Sequence, residues 1–446
     1  MKIVIFLNII LCIIMLSMGK DFLLMNSYLF FSVQAIINIS FLLYKNVRFN
    51  QFLIPSLFSY IYISFNLSLG GYLTPRSYGF FKEYAFNIST VDNIHLIVFY
   101  LFTSLTILFI ISINTVRKTK LFFLSDSFNH TQVKINTTDL VIFTLYVLSL
   151  ILGLPFAFQL GFLLLFLPTL KNSKLFYKVL FYFLIISLSV WDYSHDKRNI
   201  FMILLLIYFF ETLRINKRIS LSSLKNILFI TSFLGTFIFL IITASINRGY
   251  GKEVISEINI SNTFSNVFLY AKSDFFIDAI TDNLELNYAY GSTVTSMDYL
   301  NKGRIPFQFG MTLIKPIFLP IPRSIFENKP RNFMNLYTKE YSYQEWVNGS
   351  SLPVIFPVEL YSNFHLIGLF FLYLIYLFFD SLYVKTLNRL NNNKINFKYL
   401  ICSFLIITHF MLIRGSGLDL YVLYLLFGLS VYPLCNMFLN KSFKVL

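Results

Sequence analysis

The sequence predicts an all-α polytopic membrane protein with about twelve transmembrane helices and one large loop outside the cytoplasm. Of the 446 residues, 57% are hydrophobic and only 13% are charged. Soluble domains carry about 25% charged residues, so a chain this poor in charge cannot cover a water-facing surface. The apolar residues come in blocks of roughly 20, the length that a helix needs to cross the hydrocarbon core.

These blocks divide the chain into three parts. Residues 1–247 form an N-terminal transmembrane bundle of about nine spans, 248–361 form the loop, and 362–446 carry about three further spans. The predicted spans are 3–19, 22–44, 51–71, 94–114, 139–156, 157–170, 175–191, 199–213, 226–247, 362–384, 398–413 and 417–437. We interpret the first block as an uncleaved span and not as a signal peptide.

The basic residues orient the chain in the bilayer. Twenty of the 36 Lys and Arg residues fall in segments predicted to be inside, and only six fall in short outer segments. The positive-inside rule therefore predicts that both termini are cytoplasmic and that the long loop faces out. This distribution, and not a nucleic-acid partner, explains the net charge of +15. The three cysteines lie in apolar spans, so we expect neither a disulfide framework nor a zinc site.

The long loop contains an acidic amphipathic segment and a proline-rich segment. Around Asn262–Tyr288 a helix is predicted, with Asp274, Asp278, Asp282 and Glu285 on one face. The simpler interpretation is that this acidic face is solvated, and the alternative is that it forms a cation or sugar site. Prolines between 306 and 330 favour rigid extended turns. They would hold Arg323, Lys329 and Arg331 in a fixed array over the membrane, the alternative being a rigid loop with solvated charges. Residues 348–351, Asn-Gly-Ser-Ser, predict a turn.

Three arginines stand at the outer ends of spans, against the charge trend. These are Arg198, Arg248 and Arg414, and the last two are followed by Gly. Each could simply reach the lipid headgroups or pair with a nearby acid. If they converge, their guanidinium groups would form a cationic pocket suited to a lipid-linked pyrophosphate.

Four short stretches resemble a known family. Pro322-Arg323 with Lys329-Pro330 is similar to a Pro-Arg…Lys-Pro loop signature of oligosaccharide repeat-unit polymerases, the Wzy-type O-antigen and capsule polymerases. The stretch from Val358-Glu359 through Tyr361, Asn363-Phe364 and Gly368 resembles that family's Gly-Glu-x-Tyr-x-Asn-Phe-Gly-x-x-Gly. Lys197-Arg198-Asn199 and Arg414-Gly415 also fit. Two positions depart from the pattern, because Val358 and His365 replace glycines.

The resemblance implies a GT-C-like membrane glycosyltransferase in the bacterial inner membrane. Its substrates would be glycans on undecaprenyl pyrophosphate, joined at the outer leaflet into O-antigen or capsular polysaccharide. It implies no cofactor and no metal, and a chain-length regulator is a further partner that it allows. The leaving pyrophosphate needs fixed cations. We expect these to be Arg248 and Arg414 at the reacting centre, with Arg198, Arg323, Lys329 and Arg331 binding pyrophosphate or glycan.

An acceptor hydroxyl needs a base. Glu359 is the first candidate, with His365 and His195 behind it. The alternative for Glu359 is an ion pair with a loop arginine, and for His365 an interfacial histidine. Tyr250, Tyr361 and Asn363 are expected to contact substrate. Tyr337, Tyr341, Tyr343 and Trp346 could stack on sugars, although membrane interfaces alone enrich Tyr and Trp.

Three other functions compete with this prediction. An O-antigen ligase has a related fold, but its late-loop His with a following Glu-x-Gly pattern does not appear. A flippase or other transporter would show internal repeats, and none is clear. A membrane acyltransferase would need an embedded histidine with a partner, and His409 has no convincing one in the sequence.

Overall fold

The structure is a computed structural model, and every regular element in it is a helix. It describes residues 1–45, 47–74, 88–122, 135–171, 173–193, 203–204, 206–207, 210, 263–273, 276, 286–318, 321, 324–326, 329–391, 397–413 and 418–439. No strand occurs in these ranges, which confirms the predicted all-α class there.

The helices are numbered in chain order. They are α1 (Lys2–Ser17), α2 (Lys20–Tyr44), α3 (Pro55–Phe65), α4 (Gly71–Leu73), α5 (Ile94–Phe122), α6 (Thr137–Ile151), α7 (Phe156–Lys171), α8 (Leu175–Tyr193), α9 (Thr263–Ala271), α10 (Leu286–Asn301), α11 (Met311–Ile314), α12 (Phe333–Tyr341), α13 (Tyr343–Val347), α14 (Phe356–Phe364), α15 (Gly368–Asn391), α16 (Phe397–Ile413) and α17 (Leu418–Leu439). A π-helical turn, Asn66–Gly70, joins α3 to α4. Short 3₁₀ turns cover Phe49–Leu53, Ile88–Thr90, Lys315–Phe318 and His365–Ile367.

Three helical segments are long and apolar enough to cross a membrane. They are Lys20–Tyr44, Ile94–Thr119 and Phe356–Leu390. Shorter apolar helices cover Lys2–Ser17, Thr137–Ile151, Phe156–Leu170, Leu175–Leu188, Phe397–His409 and Leu425–Leu434. All of these overlap predicted spans. The predicted span 51–71 contains α3 and the π turn, few residues of 199–213 are described, and 226–247 lies outside the described residues.

Large apolar side chains are exposed along the outer helices. On α1, Ile3, Phe6 and Ile13 are each at least 61% exposed, and on α8 Phe176 and Phe183 are similar. Apolar exposure on this scale is unfavourable in water but is expected where a helix faces lipid. The surface thus agrees with the hydropathy in indicating membrane helices.

Helix α5 is central to the first of two helix groups. In its apolar membrane-spanning stretch 67% of the residues are buried, whereas 39% are buried in each of the other two candidate spans. It packs against α1, α2, α3 and α15. The second group contains α6, α7, α16 and α17, and α15 contacts α16 to join the two groups.

Glycines permit close helix crossings in the second group. A Cβ on Gly428 of α17 would lie 1.8 Å from the Phe404 ring of α16, and one on Gly161 of α7 would lie 2.7 Å from Val431. Small residues of this kind let helices approach within a membrane.

Buried polar side chains tie helices together inside the apolar interior. Asp380 of α15 accepts hydrogen bonds from the Ser56 amide (3.0 Å), the Ser56 hydroxyl (2.6 Å) and the Thr115 hydroxyl (2.6 Å). The carboxylate therefore caps the N-terminus of α3, where unpaired amides favour negative charge. Asn38 joins α2 to α1 and α3 by accepting from Asn8 (2.9 Å) and donating to the Tyr60 hydroxyl (3.0 Å).

An ion-pair network fixes α10 of the long loop against the bundle. Asp92, just before α5, contacts Lys20 at the start of α2 and Lys302 after α10, each at 3.0 Å. Lys302 also pairs with Asp298 at 2.6 Å. Hydrogen bonds from Lys20 and Lys302 hold the pKa of the Asp92 carboxyl below its ordinary range. The loop helix α10 thus lies at the end of the bundle where α2 and α5 begin.

The structure corrects the predicted helix at 262–288. Helix α9 ends at Ala271, and a turn follows at Lys272–Ser273, where the Ser273 hydroxyl donates to the Tyr270 carbonyl (2.7 Å). A separate helix, α10, starts at Leu286. The four acidic residues of the predicted face lie outside the described residues.

Candidate functional site

The candidate site lies where the long loop meets the start of the Phe356–Leu390 segment. Pro357 stands at the first turn of α14, where its missing N–H does no harm. The helix ends at Phe364 because His365 adopts φ 51° and ψ −137°. This is the left-handed half of backbone space, which glycine adopts readily and other residues avoid. The predicted span 362–384 is therefore interrupted at His365, and α15 begins at Gly368.

Tyr361 and His365 form one side of this segment. The Tyr361 hydroxyl donates to Asn301 Oδ1 (2.7 Å) and contacts His365 Nε2 (3.0 Å). The His365 ring packs on Tyr361 and on Phe307, with ring centroids 4.8 and 5.5 Å apart. Tyr361 is fully buried, whereas His365 is exposed. Asn301 ends α10, so this cluster connects the loop to the membrane helix.

Asn363 fastens a second part of the loop. Its amide nitrogen donates to the Thr312 hydroxyl and to the Glu359 carbonyl, both at 2.7 Å, and its oxygen accepts from the Gly310 amide at 3.0 Å. The side chain is 1% exposed. Both donors and the acceptor are thus used within the protein, and Asn363 holds the turn before α11 against α14.

Glu359 points to the other side of α14. Positions two apart on a helix are rotated by about 200°, so Glu359 and Tyr361 face nearly opposite directions. The Glu359 side chain is 5% exposed and lines a narrow crevice with Asn332, Phe333, Met334 and Val354. The two predicted bases, Glu359 and His365, therefore do not share a site in this structure.

Trp346 forms a separate aromatic and cationic cluster on the loop. The Arg331 guanidinium and the Lys339 ammonium each lie 5.3 Å from the Trp346 ring centroid, and the Tyr343 ring lies 5.3 Å away. The indole N–H donates to Asn335 Oδ1 (3.2 Å). Cations over an indole face are attracted by the negative potential of the ring. Arg331 is thereby held by Trp346.

Tyr337 is part of the loop core and not a stacking surface. It is fully buried, its hydroxyl is hydrogen-bonded to Thr295, and its ring packs against Tyr299 and Tyr341. Burial raises the pKa of Tyr337 well above its ordinary value and that of Tyr341 to about 12. The stacking role predicted for Tyr337 is therefore wrong, while Tyr343, which is 62% exposed, could still fill it.

The cationic array is described only in part. Lys329 donates to the Ile321 carbonyl at 3.1 Å. Six predicted site residues lie outside the described residues: His195, Arg198, Arg248, Tyr250, Arg323 and Arg414. Their convergence stays a prediction. Among the described residues no three His, Cys, Asp or Glu side chains lie together as a metal site would require.

An apolar strip is exposed along the loop beside α17. Its members lie between residues 309 and 326, and the segments Met311–Ile314 and Lys315–Phe318 contact α17. The strip comprises Phe309, Met311, Ile314, Ile317, Ile321, Ile325 and Phe326, each at least 36% exposed. Phe309 is 84% exposed and has φ 45°. A strained, exposed aromatic residue of this kind often indicates a functional contact.

Two further residues of the site, Asn301 and Gly368, have clear physical reasons in the structure. Asn301 had no signal in the sequence, because its contact with Tyr361 spans 60 positions. Gly368 belongs to the resemblance, and the structure explains it: a Cβ there would lie 2.7 Å from the Leu360 carbonyl oxygen and 2.8 Å from the Tyr100 hydroxyl. Tyr100 in turn donates to the Pro357 carbonyl (2.8 Å).

Comparison of the chain with protein-family models, with curated proteins and with solved structures finds no match.

Proposed function

We propose that this chain is a membrane glycosyltransferase that polymerises lipid-linked oligosaccharide repeat units. In this proposal it spans the bacterial inner membrane about twelve times in a GT-C-like arrangement, with both termini in the cytoplasm. The donor is a glycan on undecaprenyl pyrophosphate, and the acceptor is one repeat unit on a second such lipid. The product is O-antigen or capsular polysaccharide on the outer leaflet, and a chain-length regulator is a partner consistent with it.

The observation that carries the proposal is the packing of residues 357–368. This is the stretch with the most detailed resemblance to repeat-unit polymerases. Its polar side chains connect the span to the loop. Tyr361 is hydrogen-bonded to the end of α10, and Asn363 is hydrogen-bonded to the turn before α11. Its final glycine fits under a carbonyl where no side chain has room. A coherent local structure of this kind supports a shared role for the stretch.

Two further observations support an outer-leaflet lipid substrate. The network of Lys20, Asp92, Lys302 and Asp298 holds the loop at the end of the bundle that the charge distribution predicts to be outside. Part of the exposed apolar strip, in Met311–Ile314 and Lys315–Phe318, contacts α17, and we propose that a polyprenyl chain reaches the loop from lipid there. A lipid-linked donor requires such a route, whereas a nucleotide sugar does not.

In the proposed reaction, a hydroxyl of the acceptor sugar attacks the anomeric carbon of the donor. The polyprenyl pyrophosphate leaves as an anion, and fixed cations stabilise its developing charge. We assign this role to Arg248 and Arg414, with Arg198 and Arg323 beside them. Arg331 and Lys339, each 5.3 Å from the Trp346 ring centroid, are suited to the glycan or its acidic groups.

The length distribution of surface glycan, measured in a strain that lacks this gene, tests the proposal. We expect a single capped repeat unit in the deletion strain and a ladder of lengths once the wild-type gene is restored. Arg248→Ala and Arg414→Ala should give the single unit at normal protein levels. Arg304→Ala is the matched control, since this exposed loop arginine stacks only on Tyr299, 4.8 Å away, in the described contacts.

Each failure of this test has a distinct meaning. Normal ladders in both arginine variants would remove the proposed mechanism. Loss of all attached glycan in the deletion strain would indicate a ligase. Accumulation of lipid-linked repeat units on the inner leaflet would indicate a flippase.

A further inference from the structure

His365 occupies a backbone conformation that does not suit it. Its φ of 51° with ψ of −137° is one that glycine adopts freely and that a Cβ disfavours. The resembling family has glycine at this position. This chain therefore keeps the glycine-type bend while carrying a large side chain there. Strained residues of this kind cluster at functional sites.

The hydrogen bonds around the imidazole determine which nitrogen is basic. A tyrosine hydroxyl has one hydrogen, and that of Tyr361 is donated to Asn301 Oδ1. The contact between Tyr361 Oη and His365 Nε2, at 3.0 Å, must then use an N–H of the histidine. In the neutral ring the other nitrogen, Nδ1, carries the lone pair. Asn301 and Tyr361 thus orient the ring and fix its tautomer, as outer partners of catalytic histidines do.

Exposure also favours His365 over Glu359 as the base. His365 is exposed at the junction of loop and membrane helix. Glu359 is 5% exposed and points into the crevice with Asn332 and Phe333. A base must reach the proton that it accepts within hydrogen-bond distance of the substrate. A sugar hydroxyl can approach His365 from outside the fold, while Glu359 faces the interior of the loop.

We propose that His365 Nδ1 is the general base of the reaction, with Tyr361 and Asn301 as positioning residues; this rests on the proposed function. The acceptor hydroxyl oxygen forms a bond to the donor anomeric carbon, and its proton passes to Nδ1. The bond from that carbon to the pyrophosphate oxygen breaks, and its electron pair leaves with the polyprenyl pyrophosphate. The resulting imidazolium returns its proton to water.

Glycine at position 365 gives a clean test, because His365→Gly removes the side chain and suits the backbone. The purified variant, with lipid-linked repeat units from the deletion strain, should elongate about 100-fold more slowly than wild type while its unfolding midpoint stays equal or rises. Added free imidazole should restore part of the rate, since it can occupy the vacated position. His95→Gln is the matched control and should keep the wild-type rate. His95 also lies at the outer end of the bundle, where it bonds the Met18 carbonyl (2.9 Å).

The positioning residues provide the second arm. Tyr361→Phe removes the hydroxyl that holds Nε2–H and should slow elongation about 10-fold without lowering the amount of folded protein. Asn301→Asp keeps the acceptor for Tyr361 and should keep most of the rate, whereas Asn301→Leu should behave like Tyr361→Phe.

The inference is overturned if His365→Gly elongates at the wild-type rate, or if it is slow and imidazole does not raise its rate. A wild-type protein that forms no polymer would instead contradict the proposed function itself.

Discussion

Gly368→Ala tests how closely α15 approaches the segment before it. The backbone at Gly368 has φ −52° and ψ −29°, which alanine adopts without strain, so only the added methyl group matters. That methyl group would lie 2.7 Å from the Leu360 carbonyl oxygen and 2.8 Å from the Tyr100 hydroxyl, whereas ordinary contacts begin at 3.4 Å. One or both neighbours must therefore move by about 0.7 Å.

The expected loss of stability follows from three opposing contributions. Overpacking of a filled site costs about 1–3 kcal/mol. Displacing Tyr100 weakens its 2.8 Å hydrogen bond to the Pro357 carbonyl, which is worth about 1 kcal/mol. Alanine recovers up to about 1 kcal/mol through its better helix propensity. The net expectation is a destabilisation of about 1–3 kcal/mol, so steric crowding outweighs propensity.

The unfolding midpoint of purified protein in detergent measures this effect. Gly19→Ala is the matched control, because its Cβ would meet nothing within 4 Å and its φ is −65°. The control should match the wild type, and Gly368→Ala should unfold at lower temperature. Combining Gly368→Ala with Tyr100→Phe should cost less than the sum of the two changes, since the phenylalanine removes one crowded atom. If Gly368→Ala is as stable as Gly19→Ala, the described contact between α14 and α15 is incorrect.

Three further changes probe other parts of the structure. Gly428→Ala would drive a methyl group into the buried Phe404 ring, at 1.8 Å, and we expect a greater loss of folded protein than for Gly368→Ala. Asn363→Ala leaves the Gly310 amide without its acceptor and should lower stability by about 1–3 kcal/mol in the same unfolding assay. Asp92→Asn should lower the midpoint slightly at pH 7. The difference from wild type should vanish in acid, because a carboxyl with a lowered pKa stabilises above its ordinary pKa of about 4 and loses this effect as pH falls through the folded value.

Each of these has its own control. Replacing Phe404 with leucine should relieve the crowding from Gly428→Ala in part. Thr312→Val removes only one partner of Asn363 and should cost less than Asn363→Ala. For Asp92, a difference from Asn that persists unchanged into acid would show that charge pairing with Lys20 and Lys302 is not its source.

The membrane helices were predictable because the mean hydropathy of about 20 residues depends little on the identity of any single residue. The apolar blocks at 3–19, 22–44 and 94–114 all coincide with helices. The turn after α9 was not predicted, because the hydrophobic and acidic spacing continues past Ala271, where α9 ends.

The site was predictable as a stretch of sequence but not as an arrangement in space. Glu359, Tyr361 and Asn363 all belong to one motif, yet α14 turns Glu359 away from Tyr361. His365 replaces a glycine of the pattern, and the structure has a glycine-type bend there that leaves the histidine strained. Asn301 could not be found, because nothing in the sequence marks a residue that acts through a partner 60 positions away.

Reconstitution of the purified chain tests the central claim most directly. The substrate is the lipid-linked repeat unit that accumulates in a strain lacking this gene, supplied in vesicles without nucleotide sugar. We predict products of two, three and more repeat units, with one polyprenyl pyrophosphate released for each bond formed. A folded protein that leaves the repeat unit at its original length would contradict the proposal that this chain is a polymerase.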